Sequence, residues 1–322
     1  MAAASSSGDV PPLGKYLAST DKKTRDKAIK SLTTLLSDPS QDALPKSEMA
    51  KLWKGIFYCF WMSDKPLVQQ ALASELAEIL LTISTTSSSL AFLRGFWEAT
   101  VREWNSIDRL RIDKYYMLIR RFVNASFRLL IRAEWDSAAC AEYTSILTTR
   151  GGPLCPDDIR VPASLAYHLA DIYLEELDKA LANPPSPSPL PAPLSTLSAP
   201  FLTLAARTPS NTTYQRIQSA FLEPLFSSLK STNDLDNEDA PSRKRPRLST
   251  AAHPNLVANS CLTDPRAEGA VASNILRKAL LRRMFEVASE QDTRDANRRK
   301  LYSLWKSNME DDDSTETTTN AL

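Results

Sequence analysis

From Asp21 to Leu181 the apolar residues return, block after block, at the spacing of one helical face, and no stretch of useful length alternates apolar with polar. That periodicity predicts an all-α fold. Glycine is scarce, 7 residues in 322, which argues against a fold rich in hairpin turns and against loops that cradle phosphates.

Seven blocks can be placed. Asp21 caps the first, whose apolar face is Ala28, Ile29, Leu32, Leu35 and Leu36, and Asp38-Pro39 stops it. Pro45 opens the second, through Met49, Leu52, Trp53, Ile56, Phe57, Phe60 and Trp61. Ser63 or Asp64 with Pro66 opens the third, and a Ser/Thr run precedes the fourth, with Leu93, Phe96, Trp97 and Trp104 on one face. The fifth runs from about Ser106 to Ile131 and the sixth from about Glu134 to Leu147, where Gly151-Gly152-Pro153 ends it. The seventh begins near Asp157 or Pro162 and reaches Leu181. The expectation is one helical domain over 13–183, made of antiparallel helix pairs stacked as a HEAT-like α-solenoid without a fixed-period motif.

Outside these blocks the composition shifts. Residues 1–12 read as a disordered leader. Seven prolines in 184–200 predict an extended Pro-rich linker. A short helical segment is expected in 201–230, then a disordered linker over 231–265 that contains a basic cluster. C-terminal basic helices follow over 266–308, and 309–322 reads as an acidic disordered tail.

Other function classes fall away on composition. Cys59, Cys140, Cys155 and Cys261 form no C-x-x-C pair, and no secretory signal is evident, so four reduced thiols of an intracellular protein are expected. No run approaches the roughly 18 uninterrupted apolar residues of a membrane span. The two histidines, His168 and His253, are far apart, with His253 in the expected linker. His168 has Asp171 one turn later, a spacing that can polarise an imidazole but that also suits a surface or packing histidine. Scattered Cys and His positions speak against zinc, and no metalloprotease, hydrolase, Walker or Rossmann pattern occurs. No cofactor, small-molecule substrate or catalytic residue is expected.

The 39 basic and 38 acidic residues nearly cancel, so their segregation carries the information. In Val101–Arg132, eight basic residues face three acidic ones. At 100° per residue, Ile112, Tyr115, Leu118, Ile119, Phe122, Val123, Leu129 and Leu130 fall on one side. Arg109, Lys114, Arg120, Arg121, Arg128 and Arg132 fall on the other, with Arg111 the exception. An apolar face would dock the helix while its cations, with Arg102, contact phosphates, grip an acidic protein or simply remain solvated. A second zone, residues 277–306, holds nine basic residues against four acidic ones, among them Arg282, Arg283, Arg298, Arg299 and Lys300. It fits a helix pair on RNA or a partner, or an extension packed on the main domain. Arg243, Lys244, Arg245 and Arg247, in a polar linker, have the form of a nuclear-import signal.

Four segments carry a family resemblance: Phe57–Ile79 (FYCFWMSDKPLVQQALASELAEI), Arg102–Val123 (REWNSIDRLRIDKYYMLIRRFV), His168–Leu177 (HLADIYLEEL) and Arg282–Lys306. The chain resembles the eukaryotic nucleolar family called ribosomal RNA processing protein 1, over most of 14–181 and about 275–306. Asp64-Lys65-Pro66 and the Asp108–Tyr116 run make the likeness specific. The resemblance implies a non-catalytic component of nucleolar large-subunit precursor particles, needed for internal-spacer processing of precursor rRNA. Its implied partners are precursor rRNA, large-subunit assembly factors and ribosomal proteins, with no membrane. Asp64, Lys65, Trp104, Asp108, Arg109, Arg111, Asp113, Lys114, Tyr115 and Tyr116 match recurring positions, several of them with structural readings: Asp64 a cap, Asp113 an arginine partner, Trp104 core. Three hypotheses compete: an RNA-binding scaffold, a HEAT-like protein adaptor with only indirect RNA association, and a metal-dependent ribonuclease with dispersed carboxylates.

Overall fold

A computed structural model describes residues 13–38, 44–182, 190–230 and 252–319, with side chains as far as Glu310. The fold is all-α, built of stacked helix pairs. Among the described residues, β structure is confined to one two-residue parallel bridge, Ala192–Pro193 against Ser260–Cys261. Among the described residues, no helix is long and apolar enough to cross a membrane. The chain divides into two compact units, Met1–Phe122 and Val123–Leu322.

The first unit holds α1 (Leu13–Leu17), α2 (Lys22–Ser37), α3 (Lys46–Trp61), α4 (Pro66–Thr82), α5 (Thr86–Glu103) and the start of α6 (Ile112–Arg132). Local chemistry sets the boundaries. The Asp21 carboxylate accepts from the Thr24 N–H at 2.9 Å, the Thr85 hydroxyl accepts from the Ser88 N–H at 3.1 Å, and Pro66 occupies the first turn of α4. The core is aromatic. Trp53 lies 4.5 Å from Phe92 and 5.7 Å from Phe122, Phe96 stacks on Phe122 at 3.9 Å, and the Trp53 indole donates to the Phe92 carbonyl at 3.0 Å. Gly95 makes this possible, because a Cβ there would sit 2.3 Å from the Trp53 ring.

The second unit contains the remainder of α6, then α7 (Ser137–Thr148), α8 (Ala163–Ala182), α9 (Leu194–Arg207), α10 (Asn211–Ile217), α11 (Glu223–Ser228), α12 (Pro254–Ala258), α13 (Pro265–Glu268), α14 (Ser273–Ser289) and α15 (Asp295–Thr319). One π turn, Gln218–Leu222, joins α10 to α11. Tyr173 is the hub: it meets Phe127 at 4.9 Å and Phe201 at 4.8 Å edge-on, and its hydroxyl donates to the Leu197 carbonyl. Phe201 stacks on Phe221 at 4.0 Å.

The single domain expected over 13–183 is therefore corrected. The later segments complete the second unit's core by supplying Phe201 and Phe221 around Tyr173. The expected Pro-rich linker is helical from Leu194, with Pro200 inside α9. A proline in a helix interior costs about 3 kcal/mol. Burying Leu194, Leu197, Phe201, Leu202 and Leu204, each worth roughly 1.5–3 kcal/mol, outweighs it. The expected 231–265 linker is corrected from residue 252 onward. Asp178 on α8 caps α12 by accepting from the Asn255 and Leu256 N–H groups at 2.8 and 2.9 Å, and His253 sits at the N-cap of that helix. The expected tail is also corrected, since α15 continues to Thr319. The leader at 1–12 and the cluster Arg243, Lys244, Arg245 and Arg247 lie outside the described residues.

Candidate nucleic-acid interface

Helix α6 begins later than the periodicity suggested. Trp104–Ser106 is a 3₁₀ turn, and a further turn through Asp108–Arg111 precedes Ile112. Asp108 builds that second turn, accepting from the Leu110 and Arg111 N–H groups and from the Arg111 guanidinium at 2.5 Å. The guanidinium bond, together with the nearby charge, holds the Asp108 carboxyl below its usual range and raises Arg111 in turn. Arg102 thus ends α5, paired with Glu103 at 2.7 Å, and Arg109 is exposed in the turn before the helix rather than on its face.

Along α6 the apolar side is buried as expected: Tyr115, Leu118, Ile119, Phe122, Val123, Leu129 and Leu130 are all in the core. Arg121 and Arg132 are exposed and Arg120 and Arg128 partly exposed, with Met117 and Asn124 between them. Asp113, in the first turn, is the helix's one carboxylate. From Arg121 to Arg132 the strip spans roughly 16 Å at 1.5 Å per residue. Each guanidinium is a planar fork suited to a phosphate or carboxylate.

Lys114 does not belong to that strip. Only 6% exposed, it donates from Nζ to the Trp61 carbonyl at 2.7 Å, the Ser63 carbonyl at 3.1 Å and Asp64 Oδ1 at 3.2 Å, and lies 5.6 Å from the Phe60 ring centre. The reason is positional: α3 ends at Trp61, and the carbonyls that follow its last turn need a donor. Burial pulls the Lys114 ammonium below its ordinary range, with Asp64 opposing the shift. Burial pushes the Asp64 carboxyl up, but the hydrogen bond and charge of Lys114, with Arg111, prevail and hold it low. Asp64 is thus a partner of Lys114 and not the cap of α4, whose N-cap residue is Lys65. Trp104 and Tyr115 are core side chains, Tyr115 stacking on Phe57 at 4.9 Å. The two family motifs, 64–66 and 108–116, therefore meet in one joint whose inner members are structural.

The second basic zone divides differently. Arg298 is a clamp: it donates to the carbonyls of Ala288, Glu290 and Thr293 at 3.0–3.1 Å and to Asp295 at 3.0 Å, closing the turn between α14 and α15. Lys300 donates to Asn211 and lies 4.8 Å from the Tyr214 ring centre. Arg282 pairs with Glu286, and Arg283 with Glu286 and Glu290, at 3.3–3.5 Å. Arg299 is exposed.

Sequence reasoning missed Arg207, which pairs with Asp157 at 2.6 Å. It also missed Asp158, almost wholly buried, which accepts from Arg160 and from the N–H groups of Gly151 and Arg160. The Arg160 contact, with these N–H groups, holds the Asp158 carboxyl well below its usual range. The Asp-x-Arg spacing at 158–160 was a readable signal. Asp171, the proposed partner of His168, gives both its oxygens to Arg216 at 2.7 and 2.8 Å, which occupies the carboxylate that such a dyad would use.

Comparison with known proteins adds an independent line. A family described as nucleolar protein, Nop52, matches residues 8–305. Ribosomal RNA processing protein 1 homolog B of Homo sapiens is 31% identical over 90% of this chain, which spans 41% of that relative's length. Homolog A of Homo sapiens is 30% identical over 92% of the chain and 70% of its own length. Homolog A of Mus musculus is 35% identical over 71% of the chain and 46% of its own length.

Proposed function

This chain belongs to the Nop52 family of nucleolar proteins, and from that premise we propose that it is a non-catalytic scaffold of the large-subunit precursor. Its place is ribosome biogenesis, through the ribosomal RNA processing that its relatives' names carry. The finer reading is that the outward strip of α6 holds precursor rRNA by its phosphates while neighbouring assembly factors and ribosomal proteins dock elsewhere, so that separate nucleases act on the internal spacers. Its compartment is the nucleolus, reached through the cluster Arg243, Lys244, Arg245 and Arg247.

One observation carries the RNA reading: Arg120, Arg121, Arg128 and Arg132 line one outward face of a helix whose opposite face is core. A row of arginines on a rigid rod suits a polyphosphate backbone, positions it without reading its sequence, and gains from released counterions. Arg109, exposed in the turn before α6, extends the basic surface, while Arg102 at the end of α5 is offset by Glu103.

The test is a titration of the purified chain with structured RNA at several salt concentrations. Direct phosphate contact gives an affinity that falls steeply with salt. The triple variant Arg121→Glu, Arg128→Glu, Arg132→Glu lowers the log–log slope by roughly 2, at about 0.7–0.9 per lost phosphate contact. A triple variant that binds RNA as before yet leaves the precursor particle overturns the RNA reading in favour of a protein adaptor. Magnesium-dependent RNA cleavage that copurifies with the chain and vanishes on carboxylate substitution overturns the non-catalytic reading.

A further inference from the structure

Four hydroxyls crowd the turn between α9 and α10, and burial separates them. Thr208 is 4% exposed, and its hydroxyl accepts from the Ser210 N–H at 3.2 Å. Thr213 is 6% exposed, and its hydroxyl meets that of Tyr167 at 3.1 Å. Ser210 and Thr212 belong instead to an exposed run from Pro209 to Thr212. Thr208 and Ser210 have extended backbone, with ψ of 134° and 118°, and Pro209 fixes φ between them. Ser210 Oγ can therefore enter an enzyme's cleft without unwinding of α9. Arg207 precedes it by three residues, the spacing of a basic determinant in a kinase substrate. Thr208-Pro209 has the form of a proline-directed acceptor, but burial of Thr208 removes it.

Two cations from the start of α15 flank the same turn and hold only neutral oxygens. Lys300 Nζ donates to the side-chain oxygen of Asn211, one residue beyond Ser210, and lies 4.8 Å from the Tyr214 ring centre. Arg294 Nε donates to the Arg207 carbonyl at 2.9 Å. Neither has a carboxylate partner among the described residues. The carboxylates that reach this turn, Asp157 and Asp292, both face Arg207, at 2.6 and 3.9 Å. A phosphate brings a charge of about −1.5 to −2 and three acceptor oxygens. At Ser210 it would give Lys300 and Arg294 charge-assisted bonds in place of neutral ones.

We propose that Ser210 is a phosphorylation site for an arginine-directed serine/threonine kinase, and that Lys300 and Arg294 receive its phosphate. The γ-phosphorus of a nucleoside triphosphate bonds to Ser210 Oγ as its bond to the diphosphate oxygen breaks. The hydroxyl proton passes to the kinase's catalytic carboxylate, and the nucleoside diphosphate leaves. The phosphoserine then ties α10 to α15 and fastens the C-terminal helices. None of this depends on the RNA reading of α6.

The full chain is incubated with ATP and the catalytic domain of a kinase selective for Arg-x-x-Ser, and acceptors are mapped by peptide mass spectrometry. The expected product carries one phosphate, on Ser210. Ser210→Asn, which keeps a capping side chain, lowers incorporation at least tenfold, and Arg207→Gln lowers it at least fivefold. The phosphorylated chain melts roughly 2–4 °C higher. The double variant Arg294→Gln, Lys300→Gln is phosphorylated equally but gains less than about 1 °C. Melting of each unmodified variant verifies its fold, and Lys300→Gln alone serves if the double variant is unfolded. Phosphate on Thr212 in place of Ser210, acceptance by the heat-unfolded chain only, or a melting temperature left unchanged or lowered each overturns the proposal. So does the absence of phosphorylated Ser210 from precursor particles isolated with phosphatase inhibitors.

Discussion

Helix α6 and the α14–α15 pair look alike as strings of letters, both basic and both periodic, yet several cations of the pair are held by nearby carboxylates and carbonyls where Arg121 and Arg132 of α6 are exposed. On α6, Asp113 is the one carboxylate of the helix, and Arg121 and Arg132 stand out from a face backed by core. On α14–α15, carboxylates one turn away neutralise Arg282 and Arg283, and Arg298 ties the interhelical turn to its own backbone. Net charge over a window therefore does not define an interface. Whether a guanidinium faces solvent or a carbonyl does.

The contrast can be broken most strongly at Arg298. Its replacement by Ala leaves the Ala288, Glu290 and Thr293 carbonyls without that donor and should destabilise the second unit by about 3 kcal/mol. Arg121→Ala, by comparison, should move the chemical-denaturation midpoint by no more than about 0.5 kcal/mol equivalent. Equal effects would erase the distinction. The same test within α6 uses Lys114→Met, which removes the donor to Trp61 and Ser63 and should cost about 2 kcal/mol in denaturant titration while leaving the salt dependence of RNA binding unchanged.

Acid sharpens it further. The Asp64, Asp108 and Asp158 carboxyls are held below their unfolded values, so the unfolded chain takes up more protons. Their stabilisation is complete above the unfolded value near 3.8 and is lost as pH falls through the folded values. Melting temperature should accordingly drop below about pH 4, and Asp158→Asn should flatten that drop most, since its carboxylate is the most enclosed of the three. The smallest effect belongs to Arg282→Glu with Arg283→Glu, which should change the RNA salt slope by less than about 1 because those charges are already balanced. A change as large as that of the α6 triple variant would return the C-terminal pair to the RNA interface.

The sequence made the helices legible wherever punctuation was local: Asp21 and Thr85 as caps, Pro66 at a first turn, the apolar face of α6. What it hid was decided by distant neighbours. Lys114 and Arg132 are eighteen residues apart, five full turns, and share one angular position on α6. One is buried and the other exposed because the end of α3 lies beside the first. Helix α9 was hidden for a related reason: Pro200 and the prolines before it speak locally against helix, and the packing of Phe201 against Tyr173 and Phe221 overrides them.

The Asp178 cap on α12 and the short bridge from Ala192 to Ser260 fasten the returning strand of chain to what precedes it. Asn297 adds side-chain bonds to the carbonyls of Ala206 and Thr208, and Arg294 adds one to Arg207. A single proteolytic cut anywhere between 231 and 251 would consequently sever the polypeptide without releasing either piece. The halves should travel together through native size-exclusion chromatography and come apart only in denaturant, so covalent continuity across that interval is dispensable for holding the C-terminal helices in place.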